Sequence, residues 1–150
     1  MLKNDEYYME LALMEAKKAY DLDEVPIGAV IVNNDTHDVV ATAHNLKELN
    51  NDVSAHAEIL AIQKASKKEN NWRLENHTIY VTLEPCTMCA SAILQSRMQR
   101  VVFAIQEPNF GGFGGLIDLT KNFNSKITVT SGVCSKETKD LLAKFFDSKR

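Results

Sequence analysis

The segment from residue 78 to residue 105 constrains the chain most. Thr78–Leu83 and Arg100–Ile105 are rich in β-branched and aromatic residues, and Cys86–Gln95 between them has helical composition. Strand, helix, strand in that order predicts a crossover unit, whose two strands must run parallel in one sheet. Met9, Ala12, Leu13, Ala16, Ala19 and Tyr20 recur at steps of three and four, which predicts an amphipathic helix over 5–21. Ile27–Val32 and Val39–Ala43 flank the turn residues Asn33-Asn34-Asp35 and read as a hairpin.

Ser54 can cap a helix over about 55–68 that carries Ile59, Leu60, Ile62 and Ala65. Ile127–Thr130 reads as a last strand and Lys136–Phe146 as a last helix. Asn109–Gly115 holds four of the six glycines and reads as a mobile loop or lid. The expected architecture is one α/β domain over 1–150 with a mixed sheet of about five strands. The net charge of −3 speaks against strong non-specific nucleic-acid binding. No apolar run approaches the roughly 20 residues of a membrane span, and the polar N-terminus lacks the features of a secretory signal. Both point to a cytoplasmic protein without a membrane partner.

Three Cys is an odd count for a disulfide framework and shifts attention to metal chemistry. Pro85-Cys86-Thr87-Met88-Cys89 puts two thiols at i and i+3 on one face of a helix, at its first turn. The helix N-terminus favours thiolate, the form that binds Zn²⁺. His56, near the start of the preceding helix, is the expected third ligand. Three protein ligands leave a fourth position for water, which marks a catalytic zinc site. Glu58 lies about 200° around the helix from His56, so the two share a centre only off the helix end, with Glu58 beside it as a base. Four His and 11 Glu give about 0.3 chance His-x-Glu pairs, whereas Pro-Cys-x-x-Cys arises by chance about 0.001 times.

With those residues in view, the chain resembles the cytidine and nucleobase deaminase superfamily. The first helix, Glu24–Val30, Ala43-His44-Asn45, Trp72-Arg73-Leu74, Tyr80–Glu84 and Leu141–Phe146 are similar to the tRNA-specific adenosine deaminases. The resemblance implies a three-layer α/β/α cytidine deaminase-like fold. It also implies one Zn²⁺ per subunit on His56, Cys86 and Cys89, Glu58 as the proton shuttle, and hydrolysis of a wobble adenosine at position 34 of a tRNA anticodon loop to inosine by a zinc-activated water. It assigns substrate contacts to Asn45, Ala57, Leu83, Glu84, Glu107 and Phe145, and a homodimeric state. DNA is not an expected partner.

Alternatives stand beside this. The chain reads Leu46-Lys47 after Asn45 and Pro108-Asn109 after Glu107, with fewer cations than those deaminases show there, so a free nucleobase or nucleoside is the alternative substrate. A non-catalytic zinc-stabilised RNA-binding module is the third reading. Phe145 and Phe146 can stack on RNA or pack in the core, and Phe110 and Phe113 can close over a base or anchor their loop. Lys64, Lys67, Lys68, Arg73, Arg97 and Arg100 are candidate phosphate contacts, and Cys134 is expected as a packed thiol.

Overall fold

A computed structural model describes residues 3–150. Helix α1 (Asp5–Asp21) precedes the antiparallel hairpin β1 (Gly28–Asn33) and β2 (Val39–His44). Helix α2 (Ala57–Glu69) leads to the crossover β3 (His77–Leu83), α3 (Thr87–Gln95) and β4 (Arg100–Ile105). A short helix α4 (Leu119–Asn122), β5 (Thr128–Ser131) and α5 (Ser135–Asp147) follow. The sheet order is β2-β1-β3-β4-β5. β1 is antiparallel to both neighbours, whereas β3, β4 and β5 run parallel. This is the expected mixed five-stranded sheet.

Period-two alternation divides the core into two layers. On β1, Val30 and Val32 pack with Tyr8, Met9 and Ala12 of α1, while Ala29 and Ile31 face Ala57, Ala61 and Ala65 of α2 and Ile93 of α3. Helices α1 and α5 therefore cover one face and α2 and α3 the other, with the Tyr20 and Phe145 rings in edge contact where α1 meets α5. Gly28 brings α1 close to the sheet, because a Cβ there would overlap the Ala12 carbonyl oxygen.

Two local expectations are corrected. Ser54 does not cap α2: it bonds to Asp52 through its N–H and hydroxyl, and His56 is the N-cap. The turn α4 was not expected, being a single turn with its own cap, Asp118 Oδ1 accepting from Thr120 N–H.

Candidate active site

His56 and Cys86 hold the same position in their helices. Each is the N-cap, with extended backbone (φ −77°, ψ 151° and φ −65°, ψ 173°) and no side-chain bond back to its own helix. An N-cap side chain usually bonds to a first-turn N–H. These two are free to face each other, so α2 and α3 aim their N-termini at one point. His56 Nδ1 lies 3.6 Å from Cys86 Sγ and 3.5 Å from Cys89 Sγ, and the three ligand atoms lie within 4.8 Å of one another. A tetrahedral Zn²⁺ with ordinary Zn–N and Zn–S lengths sets its N and S ligands about 3.6 Å apart. The donor set and its spacing fit zinc.

The electrostatics prepare the same site. Hydrogen bonding from Cys89 holds the Cys86 thiol well below its ordinary value against the opposing effect of burial. The same bond, together with burial, pushes Cys89 up. A hydrogen bond with Cys86 raises His56. Glu58, the second residue of α2, is buried beside the two thiols, and burial pushes its carboxyl up to about 7.

The remaining expected residues form the surroundings. Ala57 is the fully buried first residue of α2, and Leu83 ends β3, half-buried and paired with Ile105. Asn45 follows β2 and is buried, its amide donating to the Val25 carbonyl at 3.2 Å while its Oδ1 accepts from Lys47 N–H at 3.1 Å. Glu107 closes its own turn, with Oε1 accepting from Asn109 N–H. Phe145 does not offer a stacking face: it is buried against Tyr20, and Phe146 is the exposed ring of that helix. Arg100 is likewise committed, forming a two-pronged pair with Asp5 at the other end of the sheet. A cavity of about 900 Å³ at the far end of α3, lined by Trp72, Arg97, Phe123 and Lys126 among others, holds none of the metal-site residues.

The sequence reading did not anticipate the structural role of two buried carboxyls. Glu84 was expected as a substrate contact, and its side chain organises the glycine-rich loop. Oε1 accepts from Glu107 N–H, and Oε2 accepts from Phe113 and Gly115 N–H, all at 2.9 Å. The loop is also stitched to α3 by Thr87 N–H to Phe110 O and Gly112 N–H to Pro85 O. The segment read above as a mobile loop or lid is a hydrogen-bonded wall in this structure. Across the site Glu24, also buried, accepts from Glu48 and Leu49 N–H at 3.0 and 2.6 Å and holds the loop after Asn45. The available signal for Glu84 was an acidic residue directly after an apolar strand, with close-set glycines further along.

The cytidine and deoxycytidylate deaminase zinc-binding region matches residues 2–105. A tRNA-specific adenosine deaminase of Bacillus subtilis is 47% identical over 97% of this chain and 90% of its own. The chain belongs to the tRNA-specific adenosine deaminase family. A relative of the same description from Haemophilus influenzae is 43% identical over 97% of this chain and 85% of its own. Among solved structures, one from a study of A-to-I editing by tRNA:A34 deaminases at the wobble position superposes with a TM-score of 0.84 at 40% identity, covering 90% of this chain and 98% of that one. A guanine deaminase from Nitrosomonas europaea superposes equally well (TM-score 0.85, 97% and 86% covered) at only 23% identity, which shows the shared fold. The chain is thus a zinc-dependent deaminase, with the fold and donor set that the resemblance implied.

Proposed function

We infer that this deaminase hydrolyses the 6-amino group of adenosine 34 in a tRNA anticodon loop, converting adenosine and water to inosine and ammonia. The observation that carries the reading is the 47% identity to a tRNA-specific adenosine deaminase over 97% of the chain, against 23% to the guanine deaminase of equal fold similarity. That match runs well past residue 105, where the zinc-binding region common to the wider group ends.

When bound by His56, Cys86 and Cys89, Zn²⁺ supplies water activation, lowering the pKa of water from about 15.7 to about 7. The residues of the chain do the rest. Glu58 takes the proton from the attacking water and delivers it to the ring nitrogen beside C6, then takes the second proton from the new C6 hydroxyl and passes it to the departing amine, which leaves as ammonia as the C6 carbonyl forms. A carboxyl held near 7 by burial can both accept and return a proton. Asn45 has an amide N–H beyond the one donated to Val25, and it offers this to the base. The adenine leaves the stack of its loop to reach the metal.

The enzyme acts as a homodimer in the cytoplasm, where its tRNA substrate resides. Met88, Leu116 and Ile117 remain exposed on α3 and the loop beside it, and a second copy would cover them. No helix is long and apolar enough to cross a membrane among the described residues.

The experiment is conversion of an in vitro transcribed tRNA with adenosine at position 34, run beside free adenine, adenosine, guanine and cytosine. Inosine in the tRNA alone is expected, with turnover reduced about 10²- to 10⁴-fold in E58A while zinc stays bound. Turnover of a free base with untouched tRNA would refute the substrate. Light scattering on the same preparation should return twice the 16.8 kDa chain mass.

A further inference from the structure

The glycine-rich loop carries two phenylalanines with opposite fates. Phe113 is 6% exposed and Phe110 is 65% exposed. The contrast does not come from looseness, because both polar groups of the Phe110–Gly111 peptide are bonded. Gly111 N–H donates to Glu107 O at 2.8 Å, and Phe110 O accepts from Thr87 N–H at 3.0 Å. Thr87 follows the metal ligand Cys86, and Gly111 pairs with Cys86 in an isolated bridge. A hydrogen-bonded loop therefore presents an uncovered aromatic ring one residue from a backbone pairing with a metal ligand. Packing of the described fold gains little from that ring.

An unpaired nucleotide offers what the ring lacks. When the reacting adenosine leaves its stack, the nucleotides beside it lose a stacking neighbour, and an aromatic side chain can replace it. The acidic net charge limits phosphate attraction, which raises the share of binding that uncharged contacts must carry. Stacking needs no particular base, since every base has a π-face. Glu84 holds the loop backbone before and after Phe110, so little backbone ordering remains to be done on binding.

We propose that Phe110 is a substrate-binding residue of this deaminase, a stacking platform for an unpaired nucleotide flanking the reacting adenosine. The proposal rests on the tRNA reading above.

The test compares zinc-loaded F110A, F110L and F110Y with the zinc-loaded wild type on an anticodon stem-loop, measuring kcat, KM, zinc content, melting temperature and mass. Loss of a contact made equally in ground and transition states raises KM and leaves kcat alone. F110A and F110L should raise KM about five-fold or more, with kcat within about two-fold, and F110Y should restore wild-type KM. Leucine keeps the apolar bulk but not the π-face, so wild-type KM in F110L would overturn the stacking role. Unchanged KM in F110A would overturn the proposal outright. A fall in zinc, melting temperature or oligomeric mass in F110A would reassign the ring to structure. Wild-type enzyme inert on the stem-loop would defeat the substrate reading instead, before any variant was compared.

Discussion

Replacing Glu84 by Ala removes the acceptor of three backbone N–H groups, of which that of Phe113 is fully buried. An unsatisfied buried donor costs about 1–3 kcal/mol, and the two half-buried donors less, so E84A should lose about 3–6 kcal/mol. That is a large share of the roughly 5–15 kcal/mol that holds a domain together. Gly111 probes the same carboxyl from the other side. A Cβ built there falls within 2.5 Å of Cδ, Oε1 and Oε2 of Glu84, so G111A must displace the carboxyl and break the bonds it accepts. G111A alone should therefore cost about 3 kcal/mol, at the upper end of ordinary overpacking. In the E84A background the methyl occupies vacated space and costs close to nothing. The coupling energy of about 3 kcal/mol stands well above the roughly 0.3–0.5 kcal/mol scatter of independent sites. Urea denaturation of the two single variants, the double variant and the wild type, all at saturating zinc, measures it. Additive losses would refute the account of Glu84 as the post around which the loop is wound.

Two further outcomes follow from the same geometry. H56A and C89A should each retain less than about a tenth of the one zinc per chain that wild type carries, by elemental analysis after dialysis, since neither leaves three ligands; C134A, outside the cluster, should retain all of it. The Arg100 guanidinium beside Asp5 holds that carboxyl below its ordinary value of 3.8. A carboxyl lowered in the folded state stabilises the fold fully above the unfolded value and loses that contribution as pH falls through the folded one. Because both side chains are partly exposed, the gap between wild type and D5N should be about 1 kcal/mol at pH 7 and should close below about pH 3.8. An equal gap at pH 3 would contradict the pairing.

Local pattern carried the reading of this chain a long way. The steps of Met9, Ala12 and Ala16 located α1, and Pro85-Cys86-x-x-Cys89 located the start of α3 and two of the three metal ligands. Interactions between distant segments were beyond it. Glycines 111–115 look permissive because they lack side chains, and the carboxyl that fixes them sits some 30 residues earlier. Ser54 is the better capping residue by type, yet the helix starts at His56, whose imidazole is turned toward Cys86 and Cys89. Adjacent Phe145 and Phe146 cannot be told apart by composition. The step of about 100° between neighbours on α5 sends the first against Tyr20 and leaves the second largely in solvent.

The chain leaves β4 at Ile105, at the metal end of the sheet, and must begin the parallel β5 at the opposite end. Had that last strand run the other way, a tight turn would have sufficed and residues 106–127 would have had no reason to exist. The long return path is what carries the glycine wall and α4 past the zinc ligands. The polarity of a four-residue strand, exposed along almost all its length, thus decides whether the reaction chamber has a side to it.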